Sequence, residues 1–359
     1  KLSVMPLHPS LGKMLLLGSL FGCMPELLSV CATLSARSPF VLPLGKEREA
    51  DGAKRRLGTG LDSDHLLYAR VSWEFRGRGD WQRRDWCSRN FLSEKTLDMV
   101  ESMRADLKKH LEELRLGEED VQDLGQGRPD DRDARGAELL AVIMSSLPLA
   151  MRGPSDRKFK CLDAARVGCA LHPSSLVQWL SGRGKGRQAQ GSGADGGGLR
   201  VIAWFSRMRT SQLYLHDASV VADALPLLLL SPSVLRREAP QGHVFEVLCP
   251  SSVGEAEGEE SGESSGDDGE DEEGEEEEDP EEVAEEDETG VVVQEQEQER
   301  EQVGEGAANN SAVGVQPARR AALLLQLRDP ELADALWELR GHLQALVELI
   351  VGEPPFQLP

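Results

Sequence analysis

The first 35 residues carry almost no polar face. Leu11, Leu15, Leu16, Phe21, Leu27, Leu28, Val30 and Leu34 cover every side of a helical wheel, which predicts helices buried inside a bundle. Gly22 and Pro25 mark a break between two of them. Pro39 and Pro43 bracket a short extended stretch, and the charged residues 45–60 read as an exposed arm or loop. A further helix starts near Ser63-Asp64-His65-Leu66, where Ser63 or Asp64 can cap the free N–H groups. Leu97, Val100, Met103, Leu107 and Leu111 recur at steps of three and four, which predicts an amphipathic helix from about Ser93 to Leu116.

The period then changes. Residues 117–136 are acidic, Gly-rich and poor in apolar side chains, so they read as a linker. Lys158–Leu162, Val167–Leu171, Arg200–Phe205 and Gln212–Leu215 are short strand-like runs separated by turns, and runs of this kind suit a small barrel. The Gly/Ser/Lys/Arg tract 181–199 reads as a hairpin loop within it. Residues 251–320 cannot bury a core and are expected to be disordered. From Leu323 to Ile350 a helical repeat returns, with Pro330 placed to start its longer part. The fold class read from this order is α+β: an all-α bundle, a small β-barrel, an acidic disordered segment and a C-terminal helix.

Charge changes the picture. The 359 residues carry a net charge of −23, which by itself argues against a nucleic-acid partner. Residues 254–306 hold 27 acidic side chains against Arg300, so the remainder stands at +3. Within 151–220 there are 11 Lys/Arg against four Asp. A mildly basic body therefore carries an acidic appendage, and the body's charge governs what it binds.

Chemistry can be narrowed by spacing. The six cysteines include no C-x-x-C pair, which argues against structural zinc and for buried, reduced thiols inside a cell. The apolar run before Cys23 is too short to span a bilayer, so no membrane association is expected. Gly12-Lys13, Gly45-Lys46 and Gly184-Lys185 are followed by Met14, Glu47 and Gly186, whereas a phosphate loop needs Ser or Thr to hold magnesium. Gly191-Ser-Gly193-Ala-Asp-Gly196 precedes a strand instead of opening a helix, so it is not a dinucleotide loop. No H-E-x-x-H or G-x-S-x-G occurs. What stands out instead is cations among aromatics. Arg76, Arg78, Arg83 and Arg84 interleave with Trp73, Phe75, Trp81 and Trp86, and Lys158, Lys160, Arg166, His172, Arg207 and Arg209 lie on or beside the barrel strands. Such surfaces suit single strands, by neutralising phosphates and stacking bases.

Several segments, in order, resemble the C-terminal region of the DEAH-box ATP-dependent RNA helicases. Met5-Pro6-Leu7-His8-Pro9-Ser10-Leu11-Gly12-Lys13-Met14-Leu15 resembles the junction of their winged-helix and ratchet domains. Leu34–Pro43, Ser63-Asp64-His65-Leu66 and Trp86–Ser93 resemble the motifs LSxxxPFxxP, SDHL and WCxxNFLS. Leu171-His172-Pro173-Ser174-Ser175 and Thr210–Ser219 resemble LHPSS and TSxxYLRDxS of the family's OB-fold, and Ala322–Val347 its last helix. The chain departs from the family at Ser145–Met151, where a Gly…Pro-Asn signature is usual, and at Ser231-Pro232-Ser233, in place of Gly-Gly.

The resemblance implies residues 1–10 as the end of a winged-helix domain, 11–116 as the helicase-associated bundle and 117–136 as a linker. It implies 137–250 as the OB-fold, 251–320 as an acidic insertion and 321–353 as the C-terminal helix. RNA contacts carried over are Lys158, Lys160, His172, Ser174, Ser175, Arg209 and Thr210 on the barrel, then Arg89 and Asn90 on the bundle, and last His65. No cofactor is expected in these residues; ATP and Mg belong to RecA-like domains expected upstream of Lys1, a residue that is no initiator Met. The implied partner is single-stranded RNA, in nucleus or cytoplasm. The other reading is a stand-alone nucleic-acid or basic-protein interaction module that uses the OB-fold and the acidic tract.

Overall fold

The computed structural model describes residues 7–114, 116, 134–152, 158–162, 167–181, 201–210, 212–221, 223–231, 233–239, 242–248, 291–295, 322–327 and 329–352. The expectations for residues 1–6, for most of the 117–136 linker and the 181–199 loop, and for 251–290 and 296–320 fall outside these.

Helices α1 (Pro9–Phe21) and α2 (Met24–Ser35) form the centre of the bundle. Pro9 occupies the first turn of α1, where a missing N–H costs nothing, and Gly22 ends that helix at φ 62°, a left-handed conformation that suits glycine. Both helices are apolar nearly all round because each is covered on most sides; α2 packs against α1, α4 (Asp64–Arg76) and α6 (Glu94–Glu113). Ser63 caps α4 by accepting from Leu66 N at 3.0 Å, as its position in the sequence predicts. On α6, Leu97, Val100, Leu107 and Leu111 are buried along the expected stripe. The loop expected over 45–60 is instead a helix, α3 (Glu47–Leu57). Its buried side is Ala50, Ala53, Lys54 and Leu57, a helical spacing concealed by two alanines and a lysine. Helix α5 (Asp80–Arg89) lies mostly on the surface. Helix α7 (Ala134–Ser146) packs on α1, α4 and α9 (Leu225–Leu230), so residues 137–146, expected at the start of the barrel, belong with the helices.

Strands β1 (Leu149–Met151), β2 (Phe159–Cys161), β3 (Gly168–Leu171), β4 (Val201–Arg209) and β5 (Leu213–Val220) close into a barrel in the order β1-β2-β3-β5-β4. A short helix, α8 (Leu176–Ser181), sits between β3 and β4. Phe159, Cys161, Cys169, Leu171, Ile202, Trp204 and Leu215 fill its interior. Residues 234–248 do not extend this barrel. Strands β6 (Val234–Ala239) and β7 (Gly242–Leu248) join β8 (Val291–Glu295) and β9 (Ala322–Leu327) in a separate antiparallel sheet, ordered β6-β7-β9-β8.

Two expectations change here. Residues 291–295 form a strand inside the segment expected to be disordered, and Ala322–Leu327 is a strand where the helical repeat was expected to begin. A short, mostly apolar run has no clear period to separate strand from helix; pairing with β7 decides it. The helix proper, α10 (Pro330–Gly352), starts at Pro330 as its position predicts. One hydrophobic core runs from α1 through α7, α9 and the second sheet to Ala333 on α10.

Candidate nucleic-acid interface

The bundle meets the barrel through the first turn of α4. Asp64 is buried there and its carboxylate accepts three hydrogen bonds from the barrel side: from Ser175 Oγ at 2.5 Å, Leu176 N at 2.8 Å and Ala218 N at 3.1 Å. Ser63 and Ser219 share a hydrogen bond at 2.6 Å, and His65 Nδ1 lies 2.6 Å from the same Ser219 hydroxyl. Val220 N donates to Asp62 O at 2.9 Å, so the joint also carries a main-chain bridge. Burial lowers the His65 pKa, with Asp217 and Asp64 opposing. Burial thus favours the neutral form of its ring. Leu176 presses so closely on Gly58 that a Cβ there would meet its methyl groups at 2.7 Å.

Asp217 sits beside this joint at φ 54°, a left-handed conformation rare outside glycine. Tyr68 Oη donates to one of its carboxylate oxygens at 2.5 Å and Ser206 Oγ to the other at 3.0 Å, which holds the turned backbone in place. Above it opens a cleft of about 340 Å³ between bundle and barrel. Phe40, Leu42, Asp51, Lys54 and Tyr68 line the bundle side; Ser174, His216 and Asp217 line the barrel side. Lys54 Nζ donates to Ser174 O at 2.5 Å, stands 3.9 Å from Asp64 and lies over the Phe40 ring. Its ammonium is thus fixed at the cleft wall.

The barrel's outer face continues from this cleft. Strand register aligns Lys160 with Gly168, Ala170 with Tyr214, and Tyr214 with Met208, so Lys160, Tyr214 and Met208 share one face. His216 pairs with Ser206 in the next row. The His172 ring stacks on His216 with centroids 3.9 Å apart and meets Tyr214 edge-on at 5.6 Å. Two imidazoles, a phenol and the half-exposed Met208 thus form a ring platform flanked by Lys160. Burial lowers the pKa of both His172 and His216; His216 and Lys54 lower that of His172 further.

The residues singled out from sequence separate on this frame. His172, Ser174, Lys158, Lys160, Arg209 and Thr210 lie on accessible barrel surface, Arg209 and Thr210 at the far end of β4. Ser174 Oγ is 2.7 Å from His172 Nδ1. Ser175 is a correction: it is buried and spent on Asp64, so it serves the joint and offers nothing to a ligand. Asn90 is buried too, donating to Trp86 O at 2.8 Å and accepting from Arg56 at 3.3 Å as it ends α5. Arg89 is exposed, paired with Asp85 one turn back and apart from the cleft residues. His65 is enclosed in the joint. Sequence reasoning missed Lys54, hidden in the unrecognised α3, and Tyr68. It also passed over Tyr214 and His216, although both lie inside the Thr210–Ser219 motif and alternate as one strand face must.

Comparison with known proteins matches residues 8–94 to the helicase-associated domain (HA2), ratchet-like. The ATP-dependent DNA/RNA helicase DHX36 of Homo sapiens is 41% identical over 248 residues, covering 62% of this chain and 21% of that protein. The chain is similar to the C-terminal region of the DEAH-box helicases. The DExH-box ATP-dependent RNA helicase DExH1 of Arabidopsis thaliana is 28% identical over 246 residues, 67% of this chain and 23% of its own length. ATP-dependent RNA helicase dhx29 of Xenopus laevis is 34% identical over 245 residues, 65% and 17% respectively. The chain thus spans about a fifth of the length of the curated relatives it matches. No helix among the described residues is long and apolar enough to cross a membrane.

Proposed function

We propose that this region grips single-stranded RNA for an ATP-dependent DEAH-box RNA helicase, the strand lying along the bundle–barrel cleft and across the barrel's ring platform. The observation that carries the reading is the His172–His216–Tyr214 cluster at the mouth of the cleft, with Lys160 on the same face. Rings give bases a stacking surface that tolerates any sequence, and Lys158, Lys160 and Arg209 neutralise phosphates. The Ser174 and Thr210 hydroxyls add hydrogen bonds to phosphate oxygens. The barrel's strand order, with α8 between β3 and β4, supports an OB-type assignment, a fold that binds oligonucleotides. Relatives named as RNA helicases support RNA as the ligand. In this reading ATP and Mg bind RecA-like domains of a longer protein, and this region supplies grip.

The test is fluorescence anisotropy of a labelled single-stranded RNA against the chain across a salt series. Log affinity is expected to fall against log salt by about 0.7 per phosphate contacted. Lys158→Glu with Lys160→Glu lowers both affinity and slope; Tyr214→Ala lowers affinity at unchanged slope, by about 1–3 kcal/mol for a lost stack. Binding that ignores salt and all three substitutions would refute the reading.

A further inference from the structure

Helix α10 is apolar on two sides. Ala333, Leu336, Trp337, Val347 and Ile350 turn towards the body and join its core. The opposite side carries Leu332, Leu339 and Leu346 at seven-residue spacing and Leu349 three residues on, exposed by 37%, 45%, 49% and 65%. Ala335 and His342 complete the same stripe and are exposed as well. Four of the twelve exposed large apolar side chains among the described residues therefore fall on one face of one helix. Leucines repeating every seven residues form the seam along which two helices pair.

Charge decides what can cover that seam. Glu331 and Glu338 flank it on one side, with Asp334 and Glu348 just beyond; the only basic residue of α10 other than His342, Arg340, is buried on the inner face. Asp334 is paired with Arg236, while Glu331, Glu338 and Glu348 make no ion pair among the described residues. The other flank, Leu336, Leu343 and Ile350, is turned into the body and closed to a partner's charges. A second copy lying antiparallel would set the Glu331 and Glu338 flank against itself. A second copy lying parallel would need the closed flank. Self-pairing is thus opposed in either direction. Gly341, beside the acidic flank, leaves open space where a Cβ would stand, so a partner's backbone can approach there.

We infer that the outer face of α10 docks a basic amphipathic helix of another protein or domain, its leucine-type stripe on Leu332, Leu339, Leu346 and Leu349 and its Lys or Arg against Glu331 and Glu338. The probe is a labelled 21-residue helical peptide with Leu at the first and fourth positions of each heptad and Lys at the fifth and seventh. It is titrated into the full chain. Because the 254–306 tract also attracts cations, the deciding comparison is with Leu339→Asn, Leu346→Asn, which leaves the tract unchanged. Circular dichroism and RNA affinity equal to the parent's establish that this variant is folded. The expected result is a loss of roughly tenfold or more in peptide affinity, as for a pair of central contact residues. Glu331→Lys with Glu338→Lys is expected to weaken this peptide and strengthen one carrying Glu in place of Lys. Equal affinity for parent and Asn variant assigns the binding to the tract and overturns the inference. So does the absence of binding, or a dimer in sedimentation that the Asn substitutions abolish.

Discussion

Asp64 is the residue on which the joint between helices and barrel depends. Its carboxylate takes two backbone N–H groups and a hydroxyl that have no water to turn to. Asp64→Ala leaves those donors unmade in a buried site, and each costs about 1–3 kcal/mol. A destabilisation of about 3 kcal/mol is expected in urea unfolding, with Asp64→Asn milder because one amide oxygen still accepts. The histidines at and beside this joint set a pH limit. His65, His172 and His216 all have pKa values below the ordinary 6.5, chiefly from burial. The unfolded chain therefore binds more protons than the folded one below that value, and stability rises with pH there. Their contribution is intact above about pH 6.5 and is lost as pH falls through the lowered values. Thermal melts from pH 7.5 to 5 are expected to show a falling midpoint, with a shallower fall in His65→Gln. A flat profile would mean the ring is solvated. Ser63 and the SDHL run could be read as a helix start from sequence alone; that Asp64 looks across to Leu176 and Ala218, over 100 residues away, could not.

At the scale of elements, charge at helix ends holds the C-terminal part on. Arg340 of α10 is buried and donates to Leu228 O at 2.7 Å and Leu229 O at 3.2 Å, carbonyls in the last turn of α9. Lys13 of α1 does the same for α7 through Ser145 O, and burial with Arg340 nearby lowers its pKa to about 8. A cation at a helix C-terminus satisfies open carbonyls and the negative end of the dipole together. Arg340→Met keeps the stem's packing and removes both bonds; a loss of about 2 kcal/mol is expected, measured as faster hydrogen exchange in α10 than in α2. Strongly periodic elements such as α6 and α10 were legible beforehand. Helix α3 was not, because two alanines and a buried lysine make its inward face. Strand β9 was not, because its apolar run has no period of its own.

For the whole molecule, the continuity of the core matters most. Leu11 and Leu27 of the first helices belong to the same cluster as Leu149 and Val201 of the barrel and Phe245 and Leu325 of the second sheet. Units that share a core and a buried polar joint unfold together. Tryptophan fluorescence and far-ultraviolet circular dichroism are expected to report one coincident transition; two separated midpoints would show that the barrel opens alone. The sequence by itself determined the order of parts, a helical bundle and then a small barrel. It also set the basic body beneath an acidic appendage, and the family resemblance. Periodicity, turn residues and charge are local properties, and local properties are written along the chain. Only the tertiary structure decided that Ser175 faces Asp64 instead of solvent and that His172, Tyr214 and His216 form one platform. It alone placed Lys54 at the cleft and left one leucine face of α10 uncovered. These depend on which distant segments become neighbours, and that choice is made by packing the entire core at once.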